Sequence, residues 1–367
     1  MYILVFIIIL GILIFVHELG HFLAAKSFGI RVDEFALGFP PRLVSKKVGE
    51  TQYSLNLIPI GGYVKILGED GSEEAEKAAE PSRGKRFTDV SRWKQAVVLV
   101  SGILGNLLFA WLAVSIGFMF GLPTAAEGPF ASEIRERALI ITSVLPGSPA
   151  DESGVLPGDK IIELRGQDEA LVAPDAEAAS ELISETPPNV PINMVVSRQT
   201  GTTSIQTLAE EGVIEGKRGI GISMEYAGVL QLPPHKALVA GAYATVSITQ
   251  AVAAGVYNII GDAFRGEAEL SSFTGPVGIA MMVGDAEKAG FVNLLILVVI
   301  ISINLAVINI LPLPALDGGR LLFVTIESIR RKPINQRFAH MSNQIGLIAL
   351  LLLMAVITYK DIIKLFK

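Results

Sequence analysis

His17-Glu18-Leu19-Gly20-His21 is the segment of this chain whose residue types and spacing could do chemistry. Positions i and i+4 share one face of a helix, so both imidazoles can address a single cation. Glu18, next to the first imidazole, can face a water at an open metal position and serve as its general base, the arrangement of zinc proteases. Two imidazoles leave a catalytic zinc short of its usual three protein ligands. The chain has four histidines. His235 falls in a Pro-rich linker expected on the other side of the membrane, and His340 follows a polar stretch and reads as a surface residue. Asp317 is the better third ligand. It ends Asn309-Ile310-Leu311-Pro312-Leu313-Pro314-Ala315-Leu316-Asp317-Gly318-Gly319, where two prolines break a helix and two glycines let the backbone turn and approach closely. The plainer reading of Asp317 is a helix N-cap. Glu327 is a weaker ligand candidate and better read as a partner for nearby arginines.

The elements that must hold these residues are apolar. Of the 367 residues 51% are hydrophobic and 18% charged, and the mean hydropathy is +0.52; a soluble domain carries about 25% charged residues. A net charge of -6 excludes a nucleic-acid binder working through bulk positive charge. The absence of cysteine excludes disulfides, thiolate metal sites and a cysteine nucleophile. The apolar residues lie in four blocks, Tyr2 to Ala25, Ala96 to Leu122, Phe291 to Leu311 and Ile345 to about Ile363, each long enough to be read as a transmembrane helix. The first block lacks the basic flank and small-residue cleavage site of a signal peptide. A fifth stretch, Ala237 to Phe264, is diluted by hydroxyl and amide side chains; spanning and surface readings are both open, and an amphipathic helix against the membrane is the favoured one.

Lysines and arginines crowd the segments between the first two blocks and between the last two, which assigns both to the cytoplasm, although the C-terminal lysines point the other way. The segment from about Pro123 to Gly290 is acidic and expected outside. His17 then lies about 22 Å along the helix from Tyr2, in the cytoplasmic half of a core about 30 Å thick. Ionisable groups at that depth are costly unless they serve a site. In the external segment, residues 140–145 and 160–164 read as strands around Ser148-Pro149-Ala150 and Gly154-Val155-Leu156-Pro157-Gly158-Asp159. Residues 192–198 and 203–208 read as a hairpin around Thr200-Gly201. From Leu139 to Glu225 this order resembles a PDZ domain, a module that adds a peptide as a strand.

An HExxH in a first apolar helix, a PDZ-like insert and an NxLPxPxLDGG after a later helix together resemble the site-2 protease family of intramembrane zinc metalloproteases, of the bacterial RseP-like type. Phe39-Pro40-Pro41, residues 54–68 and residues 271–280 are similar to that family as well. The resemblance implies an α-helical polytopic membrane protein of about four transmembrane helices with an inserted β-rich external domain. Its parts are residues 1–122 (membrane domain with HExxH and a cytoplasmic hairpin), 123–236 (PDZ-like domain), 237–288 (amphipathic helix and linker) and 289–367 (membrane domain with LDGG). It further implies Zn2+ on His17, His21 and Asp317, water activation by Glu18, and Asn309 holding the substrate strand or the developing oxyanion. A membrane-dipping hairpin with Ser54, Asn56, Gly61 and Gly62 would extend a substrate helix into a cleavable strand, because a helix hides its scissile carbonyl in its own hydrogen bonds. A plainer reading makes it a cytoplasmic hairpin, and Asn309 a cap on freed backbone. The run from Glu73 to Glu80 reads as a solvated loop.

The expected partners are membrane lipid and single-span membrane proteins, of the anti-sigma-factor or remnant-signal-peptide type, with a peptide or external substrate part at the PDZ-like domain and no nucleic acid. The expected location is the bacterial inner membrane, with both termini outside. With room for a single PDZ-like domain, the chain departs from two-PDZ members. A peptide-binding membrane scaffold or pseudoprotease, and a metal transporter, are the alternatives from other classes.

Overall fold

The computed structural model describes residues 2–69, 85–125, 129–145, 147–167, 169–198, 201–214, 217–266, 274–288 and 290–365. The acidic run at 73–80 and residues 271–273 of the SSFTGPVGIA segment lie outside the described residues. The chain divides into two units, Met1–Gly117 with Gly241–Lys367, and Phe118–Ala240. The sequence reading put these boundaries at 122/123 and 236/237. The division falls a few residues inside two helices because each helix continues through the change in composition.

The first unit begins with α1 (Tyr2–Ser27), which passes into two long strands, β1 (Val32–Val48) and β2 (Thr51–Ile66). These pair antiparallel from Val48↔Thr51 to Val32↔Ile66, and bulges fold the ribbon so that residues 34–37 also lie beside residues 52–55. Helix α2 (Arg92–Phe120) returns along α1. The crossing is close because glycines meet backbone. A Cβ on Gly20 would sit 2.2 Å from the Ser101 carbonyl oxygen, and one on Gly105 would sit 2.8 Å from that of Val16. Such small-residue contacts are how helices pack where lipid supplies no hydrophobic drive between them. A cluster at the end of α1 joins Ala25, Ile30, Val32, Ile66, Val98 and Leu99.

After the second unit the chain continues as α5 (Pro234–Arg265), α6 (Pro276–Lys288), α7 (Phe291–Ile310), α8 (Asp317–Arg330) and α9 (Gln336–Leu365). Val283 of α6 packs with Ile9, Leu13 and Leu297. At the other end of α6, the amide of Gly278 donates to Asp361 Oδ2 of α9 at 2.8 Å.

Among the described residues five helices are long and apolar enough to cross a membrane: Tyr2–Ser27, Arg92–Phe120, Pro234–Ala263, Phe291–Ile310 and Arg337–Ile363. The sequence reading expected four. The additional one by length and composition is α5, for which the sequence reading left spanning and surface placements open. Thr245 Oγ1 donates to the Gly241 carbonyl at 2.8 Å and Thr249 Oγ1 to that of Thr245 at 2.6 Å, so both are satisfied inside the helix.

The second unit is β-rich. Strands β3 (Leu122–Ala125), β4 (Arg135–Val144), β5 (Lys160–Arg165), β6 (Ala170–Val172), β7 (Pro191–Arg198), β8 (Gly201–Leu208) and β11 (Ile222–Leu230) form a sheet in the order β3-β11-β4-β5-β7-β8, with β6 also on β5. A separate ribbon joins β9 (Glu210–Ile214) and β10 (Lys217–Gly219). The hairpin read at 192–208 is present as β7 and β8, in register from Pro191↔Leu208 to Arg198↔Gly201. Alternation of period two buries Ile192, Met194 and Val196 against Ala179, Leu182 and Ile183 of helix α4 (Ala176–Glu185). The short helix α3 (Pro149–Glu152) is capped by Ser148. Asp159, buried in the loop before β5, receives two hydrogen bonds from the Arg198 guanidinium at 2.6 and 2.7 Å.

Candidate metal centre

Four helical turns into α1, His17 and His21 bring their Nε2 atoms within 3.2 Å of each other. Asp317 Oδ2 lies 3.0 Å from the first and 3.3 Å from the second. Among the described residues this is the one group of three or more His, Cys, Asp or Glu side chains whose donor atoms gather within 4.8 Å. Asp317 Oδ2 is buried and lacks a well-formed hydrogen bond even at these distances. The three atoms converge on one point. Two imidazole nitrogens and a carboxylate oxygen, with no fourth protein donor, form the donor set of a catalytic zinc that keeps one position open. The residues fit the metal.

Each donor is placed by a specific device. His21 Nδ1 lies 2.8 Å from the Val98 carbonyl of α2; a proton on Nδ1 donated there leaves the Nε2 lone pair for a metal. Gly102 is required beside it, since a Cβ would lie 2.3 Å from His21 Nε2. Asp317 is the first residue of α8, with Leu316 at the N-cap, so its carboxylate does not cap the helix. The LPLPALDGG turn folds directly back over the end of α7. A Cβ on Gly318 would lie 2.2 Å from the Ile310 carbonyl oxygen, one on Gly319 2.2 Å from that of Leu313, and one on Gly346 of α9 2.5 Å from that of Pro314. Ala315 takes a positive φ of 73° in this turn, and its amide donates to Asn343 Oδ1 of α9 at 3.3 Å.

Glu18 is half-buried on α1 beside the ligands and is hydrogen-bonded by the backbone of Val64 in β2. Gly62 packs there too, where a Cβ would meet Ile14 Cγ2 at 2.9 Å and Glu18 Cγ at 3.4 Å. Gly61, at φ 118°, leaves room for the Phe39 ring, which a Cβ would meet at 2.3 Å. Ser54 and Asn56 are turned inward. Ser54 Oγ donates to Glu34 Oε1, and Asn56 Nδ2 donates to the Gly38 carbonyl at 2.9 Å. Both side chains hold the folded ribbon together. Asn309 is half-buried in the last turn of α7. His235 and His340 are exposed, and Glu327 pairs with Arg92 at 2.8 Å.

The sequence reading overlooked Val98, Gly102, Asn106 and Ser302. Asn106 and Ser302 are fully buried. Ser302 Oγ donates to the Asn106 carbonyl at 2.8 Å, joining α7 to α2, and Asn106 Nδ2 lies 3.4 Å from His17 Nδ1. An amide four residues after Gly102 in an otherwise apolar block was the available signal. A carbonyl acceptor such as Val98 leaves no trace in a sequence.

A zinc-type ligand set carried by the first apolar helix and the turn that follows a later one defines a membrane metallopeptidase. The family model for peptidase family M50 matches residues 5–353, and the chain belongs to that family, the site-2 proteases. A protein of Clostridium perfringens assigned as a zinc metalloprotease is 34% identical, covering 99% of each chain. The regulator of sigma-W protease RasP of Bacillus subtilis is 29% identical, covering 98% of each. The zinc metalloprotease RasP of Geobacillus kaustophilus is 30% identical, covering 98% of this chain and 97% of its own.

Proposed function

We propose that this chain is a zinc-dependent intramembrane endopeptidase that cleaves single-span membrane proteins within or near the bilayer. The observation that carries the reading is the convergence of His17 Nε2, His21 Nε2 and Asp317 Oδ2, with Glu18 beside them. Zinc, when bound by those three residues, supplies Lewis acidity and a water acidified towards neutral pH. Glu18 takes a proton from the attacking water and returns it to the leaving amine. The name of the Bacillus subtilis relative favours substrates of the anti-sigma-factor type; remnant signal peptides share the same single-span form.

A substrate helix must be opened before its carbonyl can be attacked, and the ribbon supports a way to do so. Residues 62–66 of β2 pair with residues 32–37, and the Val64 backbone also reaches Glu18. A substrate segment added to that edge would lie against the general base. Ser54, Asn56, Gly61 and Gly62 act on substrate through the shape of this ribbon, and Asn309 steadies the substrate strand or the developing oxyanion.

The shared site supports a membrane topology. His17 and His21 lie in the C-terminal half of α1, and Asp317 follows the C-terminal end of α7, which supports α1 and α7 running in the same direction; the Lys- and Arg-rich segments beside the site favour the cytoplasmic side. α2 supplies the return between them. A spanning α5 would need a second return, and α6, with 13 residues, is about 20 Å long against a core of about 30 Å. α5 therefore lies along the external surface of the inner membrane, and the second unit is external and PDZ-like, receiving a peptide or the external part of a substrate.

Glu18→Gln tests the reading. The variant should retain zinc and lose cleavage of a single-span substrate in detergent by at least about 100-fold. Cleavage at the wild-type rate would refute the role of Glu18, and a wild-type chain holding no zinc would refute the site. A scaffold or pseudoprotease would show neither activity nor any need for the metal.

A further inference from the structure

The two metal-facing imidazoles are supported from behind by different means. His21 has a backbone acceptor, the Val98 carbonyl at 2.8 Å. Behind His17 stands a side chain, Asn106 of α2, with its amide nitrogen 3.4 Å from His17 Nδ1. Asn106 is fully buried, and its Oδ1 has no hydrogen-bond partner. Its backbone carbonyl is already occupied by Ser302 Oγ of α7 at 2.8 Å, so the tie between α2 and α7 runs through the main chain and does not draw on the side chain. A buried amide is costly unless its groups are paired.

We propose that Asn106 is the positioning residue of His17: its side-chain oxygen accepts the Nδ1 proton and thereby holds the ring with Nε2 towards the metal. A half-turn of the amide about Cβ–Cγ exchanges Oδ1 and Nδ2 in nearly the same volume and brings the unused acceptor to the imidazole. Ligation through Nε2 requires the ring proton on Nδ1, and a metal-bound histidine ordinarily donates that proton to an oxygen. Among the described residues Asn106 is the side chain hydrogen-bonded to that nitrogen. The two ligands of one helix are thus held by two acceptors of α2, one from its backbone and one from a side chain eight residues later.

The inference rests on the metal reading above, and its test separates the two. Zinc affinity of the full chain in detergent is measured by competition with a chromophoric chelator for wild type, Asn106→Leu and Asn106→Asp. Leucine keeps the volume and removes the acceptor, so zinc should bind 10- to 100-fold more weakly. Aspartate restores an acceptor oxygen and should stay within about threefold of wild type, a rescue that a purely structural role would not produce. If Asn106→Leu does not yield folded protein, Asn106→Ser, too short to reach His17, takes its place with the same expected loss. Wild-type affinity without the acceptor, or an equal loss in the aspartate variant, would overturn the inference alone. A wild-type chain that binds no zinc would overturn it together with the metal reading.

Discussion

The three atoms that meet at the site come from residues 300 positions apart in the chain, and each makes a separable demand on its surroundings. His17 and His21 need only helical spacing to share a face. Asp317 needs a chain that reverses within six residues of the end of α7, and its buried Oδ2 lacks a well-formed hydrogen bond, which leaves its lone pairs to a cation. Asp317→Ala is therefore expected to lower zinc occupancy of purified protein by at least about tenfold, as read by elemental analysis. Unchanged metal content would remove Asp317 from the ligand set.

Among the elements, close approach is set by glycine at points where no side chain fits. Gly318→Ala changes none of the three ligand residues yet puts a methyl group 2.2 Å from the Ile310 carbonyl oxygen. The turn must open, Asp317 must move, and zinc occupancy should fall nearly as far as in Asp317→Ala. Full occupancy in Gly318→Ala would show that the turn tolerates the displacement. The β-rich unit is held differently, by the ion pair beneath its β4–β5 loop. Burial raises the Asp159 carboxyl, but the Arg198 hydrogen bonds, the Leu156 amide and the Arg198 charge outweigh it and leave the group below its usual range. Because the folded value is lowered, this contribution is fully present above about pH 4 and is lost as pH falls through the lower folded value. Arg198→Ala strands a buried carboxylate and should cost about 3 kcal/mol near neutral pH. In thermal unfolding of the full chain, the gap between variant and wild type should narrow as pH is taken below about 4. A gap independent of pH would assign Arg198 a packing role only.

For the whole molecule, the natural absence of cysteine makes the membrane topology directly measurable. Single cysteines at exposed positions can be labelled from either side of a sealed membrane without a background. Ser204→Cys on β8 is expected to react from outside and Ser45→Cys on the ribbon from the cytoplasm. Arg265→Cys, at the end of α5, decides the remaining element: external labelling is expected for a helix lying along the membrane, and cytoplasmic labelling would make α5 a fifth span.

The membrane class, the HExxH helix, the carboxylate on the LDGG turn and the hairpin at 192–208 were legible in the sequence because each rests on a local pattern: an apolar run, a spacing of four, paired prolines and glycines, an alternation of period two. The Asp159 ion pair, the inward use of Ser54 and Asn56, and the supports behind the imidazoles were not, because their partners lie between 18 and 89 residues away. α5 stays open in the sequence for a different reason: its hydroxyls count as polar in a composition, although those of Thr245 and Thr249 are spent on the helix's own carbonyls. By itself, then, the sequence determined which residues could bind a metal and that they sit in apolar helices. Tertiary structure alone decided that His17, His21 and Asp317 meet at one point and what stands behind each, because close packing at Gly20, Gly102 and Gly318 selects which distant backbone and side-chain groups come within reach.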